Sequence, residues 1–159
     1  MPTKTFRSKH VEKAYNDNDE KGCLALLEHC QASRTPCTAF ADDEGTADQM
    51  KRPDLLIAGK PAEVQVSSGW HTRRRPSRSQ WPYGIMIFGR KMHQVQYKGG
   101  AWWIINSPCT HALVLPFSAK PIGDGFYCDE ERKSRDPVVY FSMEDATLVK
   151  LGKVDTSRN

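Results

Sequence analysis

The stretch R52-PDLLIAGKPAEVQVSSG-69 decides how the chain is read. Two apolar runs, 54–58 and 62–67, flank a Gly-Lys-Pro turn, the pattern of a β-hairpin. A two-residue turn at Gly59-Lys60 predicts that residues whose numbers sum to 119 face each other, pairing Asp54 with Gln65 and Leu56 with Glu63. Strand side chains alternate with period 2, so Asp54, Leu56, Glu63 and Gln65 share one face. Leu55, Ile57, Ala62, Val64 and Val66 share the other, which is uniformly apolar. A hairpin with a buried back thus carries two carboxylates and an amide at one end of its front.

The charge around this hairpin is uneven. Residues 51–100 hold 10 Lys/Arg and 2 Asp/Glu, a local net charge of +8, within a chain whose net charge is +4. Asp54 and Glu63 are the only acids in that window. In the predicted register they are diagonal neighbours, roughly 7–8 Å apart at Cα, close enough for their carboxylates to reach a common point. Two anions sharing a partly buried site repel unless a cation lies between them. Mg²⁺ fits: it takes one or two carboxylates, keeps several waters and leaves room for phosphate oxygens. A basic field draws in polyanions, nucleic acid foremost.

Around the hairpin, residues 5–15 predict a short helix. Asn16-Asp17-Asn18-Asp19 supplies the cap for a second one, whose stripe is Cys23, Leu26, Leu27 and Cys30. Residues 36–40 suggest a first strand, and 42–50 an exposed loop. The segment 71–82, with Pro76, Pro82 and four arginines, excludes a central strand or stable helix. Ile85, Phe88, Met92 and Val95 recur at spacings of 3, 4 and 3, predicting a helix over 85–97 that ends before Gly99-Gly100. Residues 101–106 and 112–117 read as buried strands, and VVYFS and TLVKL as edge strands. The order predicts one α/β domain over 1–159: a central mixed sheet flanked by helices, with its core at about 18–117 and a C-terminal extension at 118–159.

At 159 residues, 38% hydrophobic and 26% charged, the chain has the size and composition of one globular domain. No apolar run approaches the roughly 20 residues of a membrane span. The N-terminus lacks the apolar stretch of a secretory signal, so the expected location is cytoplasmic. Five cysteines without a C-x-x-C pair fit buried thiols better than disulfides or structural zinc. Walker A, G-x-G-x-x-G, H-E-x-x-H and G-x-S-x-G patterns do not occur.

Pro53-Asp54, followed after eight residues by Glu63-Val64-Gln65, resembles the PD-(D/E)XK, or restriction-endonuclease-like, nuclease superfamily in a Glu-x-Gln form. The resemblance spans roughly residues 18–117. It implies Mg²⁺-dependent cleavage of phosphodiester bonds, usually in DNA, with Mn²⁺ as an alternative ion. It further implies Asp54, Glu63 and the Val64 carbonyl as metal ligands. Gln65 replaces the usual lysine: it can hydrogen-bond an attacking water but carries no positive charge. Lys91 on the following helix, or His71, is a stand-in, and Lys91 is the better placed. Arg73, Arg74, Arg75 and Arg78, interleaved with Trp70, His71 and Trp81 and extended by Arg90, suit phosphate contact and base stacking. Trp102 and Trp103 suit the core or a sheet face, and His111 a turn residue bonded to backbone. A nucleic-acid-binding protein that keeps the fold without catalysis is the alternative, and an interaction protein with a basic loop a third. Homo-oligomerisation is compatible with any of these.

Overall fold

A computed structural model describes residues 9–39, 53–129 and 134–154. Helix α1 (Lys9–Ala32) leads into β1 (Cys37–Ala39) and the hairpin β2 (Leu55–Ile57) and β3 (Lys60–Ser67). The chain then forms β4 (Ile85–Phe88), a 3-10 helix η1 (Gly89–Gln96), and the strands β5 (Ala101–Asn106) and β6 (His111–Pro116). Next come β7 (Gly123–Asp129), β8 (Ser134–Phe141), the short 3-10 helix η2 (Met143–Asp145) and β9 (Thr147–Lys150). A six-stranded mixed sheet runs β1-β2-β3-β5-β6-β9, and a three-stranded antiparallel sheet runs β4-β8-β7. Among the described residues the only parallel pair is β3 with β5, so residues 68–100 form a crossover between parallel neighbours.

The mixed α/β class and central mixed sheet agree with the sequence; several elements do not. One helix stands where two were expected, and Asn16–Asp19 lie inside it. Such residues cost at most about 0.7 kcal/mol each in a helix, whereas ending and restarting one leaves a set of backbone groups unpaired. The start of the expected first helix and the loop 42–50 lie outside the described residues. The predicted helix over 85–97 is instead a strand followed by η1. Ile85 and Ile87 are buried and alternate with half-buried Met86 and Phe88, while Val95, counted in the helical stripe, is exposed. VVYFS is no edge strand: β8 is central to the small sheet. TLVKL does form an edge strand, β9.

The hairpin register also shifts. Leu55 pairs with Ala62, Leu56 with Pro61 and Ile57 with Lys60, so the turn is Ala58-Gly59. Both turn residues have positive φ, 51° and 79°, as a two-residue turn matched to strand twist requires. Pro61 is the physical reason. A Gly59-Lys60 turn would need the residue after it to donate its backbone N–H across the turn, and proline has none. The Ala58 N–H instead donates to the Pro36 carbonyl at 2.7 Å, tying the turn to the start of β1. Because the shift is two residues, the face assignment survives it.

The six-stranded sheet therefore separates two cores. On one side Leu55, Ala62, Val64, Ile105 and Ala112 pack with Leu26 of α1. Gly22 lets the helix approach: a Cβ there would sit 2.7 Å from Val64 Cγ1 and 2.8 Å from Val66 Cγ2. On the other side Trp102, Ile104, Leu113 and Leu115 pack against Ile85, Ile87 and Phe141 of the smaller sheet. Trp103, half-buried, lies on the α1 side beside the His29 ring. Among the described residues no cysteine forms a disulfide, and burial together with Cys37 pushes the Cys30 thiol up to about 11. No described helix is long and apolar enough to cross a membrane.

Candidate functional site

β3 is the central element of the site, because it is covered on both faces. Its alternation sends Val64 toward α1 and Glu63 toward the smaller sheet, beside Trp102, its register partner on β5. Asp54 lies in a bend just before β2, beyond the last register pair of the hairpin, Leu55 with Ala62, so the predicted pairing of Asp54 with Gln65 does not form. Asp54 Oδ2 accepts the Val64 N–H at 2.8 Å. The carboxylate thus takes the place of a strand partner for β3 just where β2 has ended.

Glu63 is buried, with 6% of its surface exposed. Lys91 Nζ of η1 lies 3.4 Å from its Oε2, and the Lys91 side chain is as buried as its partner. A buried carboxylate requires such compensation, since its desolvation costs several kcal/mol. Of the residues picked out from the sequence, the structure pairs Glu63 with Lys91, which arrives on a 3-10 helix, and holds Asp54 on the backbone N–H of the neighbouring Val64. Gln65 points elsewhere. Its Nε2 donates to the Met86 carbonyl of β4 at 3.4 Å, while Oε1 is buried without a hydrogen-bond partner among the described residues.

The oxygen donors along this stretch are the Asp54 and Glu63 carboxylates and the Val64 carbonyl. Among the described residues no group of three or more His, Cys, Asp or Glu converges. Two carboxylates with one carbonyl leave most of an octahedral shell to water or phosphate, which suits Mg²⁺ better than a zinc cage. Two further buried polar groups were not signalled by the sequence. Gln94 of η1 is fully buried, and neither end of its amide has a hydrogen-bond partner among the described residues; nor has Trp102 Nε1. A buried glutamine inside a stretch read as an amphipathic helix carries no signature of its own.

The arginine-rich segment is a pinned loop. Asn106, fully buried at the end of β5, donates from Nδ2 to the Thr72 carbonyl and to Thr110 Oγ1, each at 2.9 Å. Its Oδ1 accepts the N–H groups of Thr110 and His111. The Ser107 N–H donates to the Trp70 carbonyl at 2.7 Å. Trp70 is a correction to the expected base-stacking set: it is 1% exposed in the core, and its Nε1 donates to the Arg74 carbonyl at 2.8 Å. With no free ring face it cannot stack on a base. Arg75 is held as well, donating to the Met143 and Ala146 carbonyls at 2.9 and 2.7 Å. Arg73, Arg74, Arg78 and His71 are exposed, and the Arg90 guanidinium lies 4.3 Å from the centroid of the Phe88 ring. His111 is buried at the start of β6, its Nδ1 2.9 Å from Thr110 Oγ1. Burial first, then Arg73 and Lys150, hold its pKa below the ordinary range.

Comparison with protein-family models, curated proteins and solved structures yields no match.

Proposed function

We propose that the chain is a metal-dependent nuclease that hydrolyses phosphodiester bonds, in DNA, on a restriction-endonuclease-like core. One observation carries the proposal: a buried Glu63 lies against the Lys91 ammonium, while Asp54 accepts the N–H of Val64, the next residue along β3. The element order supports it too: a helix, an antiparallel hairpin bearing both carboxylates, and a crossover into a parallel strand. Asp54, Glu63 and the Val64 carbonyl would hold Mg²⁺ or Mn²⁺, which supplies charge stabilisation and an activated water when bound. Lys91 brings the cation that Gln65 cannot, next to the carboxylates and not on the same strand. The exposed guanidinium groups of Arg73, Arg74 and Arg78 would neutralise phosphates along the backbone.

A second interpretation draws on the same ion pair. Lys91 already compensates the Glu63 carboxylate, so the fold is complete without a metal, as a binding protein that lacks catalysis would be. One experiment separates the two. The protein is incubated with single- and double-stranded DNA and RNA in Mg²⁺, Mn²⁺ or EDTA, beside Asp54→Ala and Glu63→Ala. Metal-dependent cleavage lost in both variants supports the nuclease. Binding without cleavage in either metal favours the binding protein.

A further inference from the structure

Between the two sheets, further along β3 from Glu63, lies a cavity of about 240 Å³ lined by Gln65, Ser67, Trp81, Tyr83, Met86 and Tyr140 among others. Its wall is aromatic. The Tyr83 and Tyr140 rings lie 5.4 Å apart at a tilt of 45°, and Trp81 is braced edge-on against buried Trp70 at 6.2 Å. Tyr83 is 68% exposed, so one face of the wall is open to an incoming ring. The volume lies below the roughly 300–1,000 Å³ of pockets for drug-sized molecules and suits one small ring system.

Gln65 supplies the polar end. The Met86 carbonyl can only accept, so the hydrogen bond to it fixes which end of the amide is nitrogen. Oε1 is therefore the acceptor, and it is buried with no hydrogen-bond partner among the described residues. Such a carbonyl awaits an N–H donor. Gln65 stands two residues beyond Glu63 on the same strand face, about 7 Å along β3. Trp81 closes the segment that carries the exposed arginines.

We propose that this cavity receives one unstacked nucleobase of the nucleic acid, adjacent to the phosphodiester held at Asp54 and Glu63. The base stacks on the Tyr83–Tyr140 wall and gives an exocyclic amine proton to Gln65 Oε1. Gln65 is then a reader of the base, and this is why the strand carries an amide where a lysine was expected. The assignment rests on the proposed action on nucleic acid. It adds a subsite with a preference: adenine, cytosine and guanine carry the amine, and thymine does not.

The test compares binding of oligo(dA), oligo(dT) and a base-free deoxyribose-phosphate chain of equal length, by fluorescence anisotropy in Ca²⁺ at low salt. Wild-type protein should bind oligo(dA) roughly tenfold more tightly than the base-free chain, the size of one stacking contact. Tyr83→Ala should reduce oligo(dA) to the base-free level and leave the base-free affinity unchanged. Gln65→Leu should remove the preference for oligo(dA) over oligo(dT). Equal affinity of wild type for oligo(dA) and the base-free chain, or a full oligo(dA) advantage in Tyr83→Ala, overturns the base pocket but leaves the nuclease proposal standing. Failure of all three chains to bind overturns the base pocket, and the cleavage assay on duplex DNA then decides the nuclease proposal by itself.

Discussion

Lys91 of the 3-10 helix and Glu63 of the central strand form an ion pair at 3.4 Å in which both side chains are almost wholly buried. The pair joins the crossover to the six-stranded sheet one residue from Val64, whose N–H Asp54 accepts. Truncating one partner leaves the other charge in the interior. Lys91→Met should therefore destabilise the protein by about 3–5 kcal/mol, and the double variant Glu63→Gln/Lys91→Met should regain most of that loss. Urea unfolding followed by the fluorescence of buried Trp70 and Trp102 measures both. Equal stability of Lys91→Met and the double variant would show that an unpaired Glu63 charge is not what destabilises the single variant.

Asp54 has a structural task and, in the proposed nuclease, a chemical one, and two substitutions divide them. Its Oδ2 accepts the Val64 N–H. Asn keeps an acceptor there; Ala leaves the N–H without one, at a cost of about 1–3 kcal/mol. Asp54→Asn should fold with near wild-type stability and lose metal-dependent cleavage. Asp54→Ala should lose both. Cleavage by Asp54→Asn at the wild-type rate would remove the carboxylate from the metal site.

Gly22 offers a packing test away from the site. Alanine is favoured over glycine in a helix by up to about 1 kcal/mol. Its Cβ, however, would press on the branched side chains of Val64 and Val66, and overpacking of this kind costs about 1–3 kcal/mol. Gly22→Ala should thus be net destabilising in thermal unfolding. A raised melting temperature would mean that α1 can lift from β3 without penalty.

The hairpin was legible because its alternation, carboxylates and turn lie within eighteen residues, and because a two-residue register error preserves the face. The register itself is written in Pro61, which forbids a Gly59-Lys60 turn and leaves Ala58-Gly59. The strand Ile85–Phe88 was hidden because four residues of alternation also satisfy a helical spacing when Met92 and Val95 are counted with them. β7, with sequence GDGFYCD, is paired to β8 throughout its length but carries too little apolar periodicity to announce itself. Trp70 was misjudged because a tryptophan beside arginines looks alike in sequence whether it anchors a loop or stacks on a base. Burial alone separates the two, and burial depends on Asn106 and Ser107 some forty residues away.

Two histidines set an acid limit on stability. His29 Nδ1 accepts the Gly152 N–H at 2.8 Å, which requires the unprotonated nitrogen, and burial lowers its pKa from 6.5. The His111 pKa is lowered likewise, by burial, Arg73 and Lys150. Both bind a proton more readily in the unfolded chain, so stability is complete above about pH 6.5 and falls as pH drops from there toward the lowered folded values. His29→Asn, which keeps an acceptor near the Nδ1 position, should flatten part of that slope in urea titrations between pH 7 and 5. An unchanged slope would place the proton uptake elsewhere.

The pinned loop divides its arginines into two kinds, and DNA binding should divide the same way. Arg73 and Arg78 are exposed on a backbone held by Asn106 and Trp70, so each can neutralise a phosphate without ordering the loop. Arg73→Gln and Arg78→Gln should each weaken binding evenly across sequences and reduce the slope of log K against log salt by about 1. Arg75 bonds the carbonyls of Met143 and Ala146 instead. Arg75→Gln should lower unfolding stability by about 0.5–1.5 kcal/mol through the lost hydrogen bonds, with little change in the salt slope. Fluorescence titrations at several salt concentrations, with urea unfolding of the same variants, measure both quantities. A salt slope that falls for Arg75→Gln as much as for Arg73→Gln would make Arg75 a phosphate contact after all, its carbonyl bonds giving way on binding.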